Sequence, residues 1–168
     1  MAYVVADGFP YYIQLTNGID VKTLFASMET FNFFKSLNEE QGNISYAPGK
    51  WSMKQILGHV TDHERIMTYR AFRFSRKDAT ILSGYDQDIM VDNSRFTELP
   101  LSYLISDFEK LRASTNSFID SLTAEQFQLN GTAWKFTLTV ESFLRATIGH
   151  EIHHMNVIKE KYLQWLVE

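Results

Sequence analysis

Four segments of the chain, roughly 20–40, 52–77, 100–121 and 139–166, repeat apolar residues at the three- and four-residue spacing of an amphipathic helix. No strand-rich region competes with them, so the pattern predicts an all-α four-helix bundle. A chain of 168 residues suits one domain, and no internal repeat, linker or low-complexity stretch divides residues 1–168. Aromatic residues make up 14% of the sequence, and Phe31, Phe33, Phe34, Phe72, Phe74, Phe108, Phe118 and Phe143 fall inside the helical patterns, where they read as bulky core filling.

Local signals set the boundaries. Ser52 and Gln55 fit a capping box and Trp51 and Ile56 a hydrophobic staple, just after the turn residues Pro48 and Gly49. Asp20 can cap the first helix, Pro100 suits the first turn of the third, and Thr139 can open the fourth with Leu138 and Phe143 as its staple. Thr123 and Gln126 suggest a short extra helix, and Asn130-Gly131 a turn. Asp78 to Leu99 is a long connector, a length that signals function or a crossover, and a crossover makes helices two and three parallel.

The net charge of -4 and pI near 5.7 argue against nucleic acid as the main partner, which needs a basic face. Arg70, Arg73 and Arg76 follow one another at i+3 and read as a solvated helix flank, with Arg70 the exception because it shares the inward face. The chain has no cysteine, which excludes disulfides, zinc–thiolate sites and a protein thiol nucleophile, so any thiol chemistry needs a cosubstrate. No run of about 18 apolar residues is present and the first residues lack the basic start of a secretory signal. The expectation is a cytoplasmic protein that binds neither membrane nor nucleic acid.

All five histidines lie in two short segments: His59 and His63, then His150, His153 and His154. Residues at i and i+4 share a helix face, so each segment presents a pair. Projection at the helical angle puts His59 and His63 with Ile56, Ile66, Met67, Arg70 and Phe74, and His150 and His154 with Phe143, Thr147, Val157 and Ile158, so both pairs look inward. Burying an imidazole without a partner costs about 1–3 kcal/mol, which calls for hydrogen bonds, a metal or a wet cleft. Spacing leaves a metal site and a hydrogen-bonded core network both open. Three neutral imidazoles would leave open positions on zinc, nickel, iron or manganese, as catalysis requires. The run His150-Glu151-Ile152-His153-His154 has the histidine and glutamate spacing of the zinc-protease HExxH motif, but nothing else favours a protease. The first pair, with Asp62 and Glu64 nearby, reads better as the other half of a shared site, in which Glu64 lies about 140° from His59 and is a poor co-ligand.

The stretch Tyr46-Ala47-Pro48-Gly49-Lys50-Trp51-Ser52 through Arg65, with its Gly-His-x-x-Asp-x-Glu-Arg element, resembles the helix-two signature of the DinB-like, or YfiT-like, damage-inducible superfamily of metal-binding four-helix bundles. Tyr69 to Arg76, Gly84 to Asp88, and Thr139 to Leu163 extend the likeness along most of the chain. The resemblance implies an up-up-down-down bundle with a long crossover between helices two and three, a homodimer, and a divalent ion, zinc or nickel first and iron or manganese next, on His59, His150 and His154. His63 and Arg70 then fall to substrate contact, His153 to no role, and Glu151 to a neighbour rather than a catalytic base. Characterised relatives include transferases and isomerases that use thiols such as bacillithiol or mycothiol, and relatives named as hydrolases. The lead expectation is a metal-dependent thiol S-transferase acting on a small electrophile; the alternatives are a metal-dependent hydrolase and a noncatalytic metal-binding stress-response module.

Overall fold

In the computed structural model, which describes residues 2–166, the elements run α1 (Phe9–Gln14), α2 (Val21–Phe25), α3 (Glu29–Lys35), α4 (Glu39–Gly42), α5 (Met53–Ser75), α6 (Gln87–Asp92), α7 (Leu101–Asp120), α8 (Ala124–Phe127), β1 (Asn130–Ala133), β2 (Phe136–Thr139) and α9 (Val140–Lys161). The three long helices begin within a residue or two of the expected positions. Ser52 and Gln55 form their capping box, Thr139 accepts from the Ser142 N–H, and Asp20 accepts from the Lys22 and Thr23 N–H groups. Pro100 stands one residue outside α7, at its N-cap. The short helix after Thr123 is present as α8, with its capping box.

Three expected element boundaries need correction. The first helix is broken into α2, α3 and α4, because Ser27 Oγ receives the Glu29 N–H and Asn38 caps Gln41, so polar side chains replace backbone partners at both breaks. The fourth helix stops at Lys161: Tyr162 leaves the helix, and its hydroxyl donates to the Trp51 carbonyl at 2.7 Å. Asn130-Gly131 is not a turn but the start of β1, which pairs antiparallel with β2, Asn130 opposite Thr139. A Cβ on Gly131 would sit 2.0 Å from the Phe74 ring, so this glycine answers to close packing. The segment before residue 20, for which the periodicity predicts nothing, supplies α1, with Pro10 in its first turn.

The four-helix bundle itself is as expected, counting α2–α3 as its first member. Cross-helix partners give the directions. Lys22 pairs with Asp120 and Lys35 with Glu109, so the first member opposes α7. Arg65 pairs with Asp107 and Phe72 meets Phe118, so α5 and α7 are parallel, joined by the long crossover. Phe74 meets Phe143 while His59 meets His150, so α9 opposes α5. The order is therefore up-down-down-up rather than up-up-down-down, since only the crossover preserves direction. No helix among the described residues is long and apolar enough to cross a membrane.

Two apolar clusters fill the bundle. One gathers Met67, Ala71, Phe74, Ile119, Phe143 and Leu144, and the other Phe34, Met53, Leu57, Phe108, Met155 and Ile158. Between them runs a polar layer of His59, His63 and Glu64 on α5, Arg112 on α7, and His150, Glu151 and His154 on α9. The layer exists because α5, α7 and α9 each interrupt their apolar stripe at the same height.

Candidate metal centre

His59 Nε2 lies 3.0 Å from His150 Nε2, which in turn lies 3.1 Å from His154 Nε2. One ligand atom from each of the three rings falls within 4.8 Å of the others. A ring nitrogen carries either one proton or one lone pair, so His150 Nε2 cannot satisfy both neighbours with good geometry. One cation among the three lone pairs can. With metal–nitrogen bonds of about 2.0–2.1 Å, neighbouring ligands of a tetrahedral ion lie about 3.3 Å apart, close to the two short separations. The donor set therefore fits a divalent ion with open positions.

Electrostatics keep the donors ready. Burial holds His59 down at about 4, and burial first, then repulsion from neighbouring charged rings, holds His150 and His154 well below the usual histidine value. The rings are thus neutral at pH 7, as ligation needs. Trp51 packs on His59 with centroids 4.8 Å apart, and Tyr12 meets His150 edge-on at 5.2 Å. His150 Nδ1 is buried and has no hydrogen-bond partner among the described residues.

Two glycines allow this convergence. A Cβ on Gly149 would lie 1.9 Å from the Tyr12 carbonyl oxygen, so α1 can cross α9 beside His150 only over a glycine. A Cβ on Gly58 would meet the Phe96 ring at 2.5 Å, which seats the end of the crossover against α5 beside His59.

His63, expected at the substrate, stacks on His150 with centroids 3.7 Å apart, and its Nδ1 is 2.5 Å from the Tyr85 hydroxyl. Burial pushes that phenol up to about 12, with Arg70 opposing. Arg70 is buried, and its Nη2 donates to the Ser83 carbonyl at 2.7 Å. His153 is only half-buried, its Nδ1 3.3 Å from the Tyr11 hydroxyl, and lies outside the triad.

Glu64 and Glu151 serve a different partner. Arg112 donates to Glu64 through Nε and Nη2, at 3.0 and 2.8 Å to Oε2, and through Nη2 to Glu151 at 2.5 Å. Its guanidinium also lies 5.0–5.3 Å from the Phe25, Phe31 and Phe108 ring centres. Burial opposes its charge, but the Glu151 and Glu64 carboxylates outweigh burial and raise its pKa. Glu151 is thus held away from any role as a protease-type base. The signal for Arg112 was present in the sequence: Leu104, Phe108, Arg112, Thr115 and Ile119 form one buried stripe at helical spacing, with an arginine in the middle.

Two cavities reach the triad. One of about 720 Å³ is lined by Phe9, Tyr12, His63, Arg70, Tyr85, Trp134, Phe136 and His150; the other, about 730 Å³, by Trp51, Asp88, Asp92, His153, His154 and Tyr162. Gln87, at the start of α6, lines both, so the crossover forms the divider. The family model for the DinB superfamily matches residues 24–158, which span all three histidines. The chain belongs to the DinB superfamily. A protein of Oceanobacillus iheyensis named "Putative metal-dependent hydrolase OB0413" is 29% identical over 140 residues, 78% of this chain and 74% of that protein. YfiT from Bacillus subtilis, described as a probable metal-dependent hydrolase with an unusual four-helix bundle topology, superposes with a TM-score of 0.72 at 17% identity, over 98% of this chain and 91% of that one. The mycothiol-dependent maleylpyruvate isomerase gives 0.62 at 12% identity, over 91% of this chain and 62% of that one. At such identities the two structures show that the DinB fold is shared.

Proposed function

We propose that this DinB-superfamily protein is a metal-dependent enzyme that transfers a low-molecular-weight thiol to a small electrophile, with one divalent ion, zinc or nickel, on His59, His150 and His154. The observation that carries this reading is the pair of cavities that reach one triad, since a transfer reaction must bring two molecules to one centre. The chain has no cysteine, so the thiol arrives as a substrate. When bound, the ion supplies Lewis acidity, which lowers the pKa of a thiol or of water enough to make a nucleophile at neutral pH.

The protein's own contributions follow from the geometry. The three imidazoles, neutral at pH 7, would hold the ion, and His150 borders one cavity while His154 borders the other. Trp51 and Tyr12 pack on the rings and fix their orientation. His63, between His150 and Tyr85, is placed to exchange a hydrogen bond with a molecule in the 720 Å³ cavity. Water in place of the thiol would give a hydrolase, a reading that the name of the Oceanobacillus relative favours.

A panel of thiols offered with an electrophilic acceptor, run beside ester and amide substrates, tests the proposal. Thiol-dependent consumption of the acceptor, abolished in His150→Ala, supports transfer. Ester or amide cleavage without thiol supports hydrolysis instead. Metal-dependent folding with neither activity supports a noncatalytic module.

A further inference from the structure

Arg70 and Arg112 are equally buried, each 4% exposed, yet their surroundings differ. Arg112 is held by two carboxylates. Arg70 takes part in no ion pair among the described residues. Its Nη2 donates to the Ser83 carbonyl, its Nη1 faces Met67 Sδ at 3.4 Å, and its guanidinium lies 5.7 Å from the Tyr85 ring centre. A buried cation without a counter-charge is costly and persists where a ligand supplies the charge. This one lines the 720 Å³ cavity.

A second observation points the same way. His63 lines the same cavity, and its Nε2 is buried with no partner. When the Tyr85 hydroxyl donates to His63 Nδ1, Nε2 carries the proton and becomes a second unsatisfied donor. Phe9, Trp134 and Phe136 give the same cavity an aromatic wall that suits a flat apolar body.

We infer that this cavity binds an organic carboxylate, its carboxylate on Arg70 and its apolar body against Trp134 and Phe136, with the other end directed to the triad. A guanidinium matches a carboxylate in two parallel hydrogen bonds. One arginine with Asp86 at the rim favours a monoanion over phosphate. Arg70 and His63 stand two turns apart on α5, about 10 Å along the axis, which sets the body at roughly one substituted aromatic ring. That the bound molecule is a substrate rests on the reading of the triad as a catalytic metal centre; that it binds does not.

Calorimetric titration of the full chain with cinnamate, cinnamamide and inorganic phosphate, before and after chelation, separates the two. Cinnamate is expected to bind in both states, cinnamamide and phosphate about tenfold more weakly or worse, and Arg70→Gln to weaken cinnamate alone by about tenfold. Arg70→Lys should recover part of the loss, and Trp134→Ala, at a position 58% exposed and so tolerant of change, should weaken both organic probes. Equal binding of acid and amide, tighter binding of phosphate, unchanged cinnamate affinity in a folded Arg70→Gln, or no cinnamate binding at roughly 10 mM would each overturn the inference. Binding that survives chelation while thiol transfer fails in the metal-loaded protein would retain the carboxylate site and reject only the catalytic reading.

Discussion

Gly149 and Tyr12 are in contact at a point where the chain has no room for a side chain: a Cβ on Gly149 would fall 1.9 Å from the Tyr12 carbonyl oxygen. The same contact brings the Tyr12 ring to His150. Gly149→Ala must therefore push α1 off α9. The expected cost is about 1–3 kcal/mol in urea unfolding, with weaker metal binding, because the wall beside His150 moves. Unchanged stability and affinity would mean that α1 does not support the site.

Arg112 ties three helices together through Glu64 and Glu151. Removing one partner of such a buried group leaves charge uncompensated, so Arg112→Met is expected to lose about 3–5 kcal/mol by chemical denaturation. Combining it with Glu64→Gln and Glu151→Gln should recover much of that loss, because no buried charge then remains. Equal instability of the single and triple variants would show that packing against Phe25, Phe31 and Phe108 matters more than charge.

The metal-free protein should lose stability in mild acid. His59, His63, His150 and His154 all have folded pKa values below their unfolded value near 6.5, chiefly through burial. The unfolded chain then takes up protons that the folded chain refuses. Their contribution is complete above about pH 6.5 and is lost as pH falls through the folded values, about 4 for His59. For His59 alone the loss is on the order of 3 kcal/mol. Denaturation midpoints of chelated protein from pH 7.5 to 4.5 check this, and a flat profile from pH 7 to 5 would contradict it.

The long helices were legible because their caps and apolar periods are local: Ser52 with Gln55 and Thr139 with Ser142 need nothing beyond their own turn. His59, His150 and His154 were legible as pairs with a shared inward face, and as a triad through the family resemblance. The breaks at Ser27 and Asn38 were hidden because side chain to backbone hydrogen bonds there compete with an intact helical pattern. Gly131 read as a turn because its reason, the Phe74 ring, is remote in sequence. Tyr12, Tyr85 and Trp134 reach the cavity from segments with no periodicity, and only the packing of α1, the crossover and the hairpin brings them there. Arg112 was readable as an arginine inside an apolar stripe, but its two glutamates become partners only when α5, α7 and α9 align at one height.

The most direct test of the central claim is metal content by elemental analysis on protein purified without a histidine tag, set against His59→Ala, His150→Ala and His63→Ala. Three converging Nε2 atoms predict one equivalent of a divalent metal in the parent, loss of that equivalent in His59→Ala and His150→Ala, and retention in His63→Ala. No stoichiometric metal in the parent, or an unchanged equivalent after removal of His59 or His150, would contradict the account.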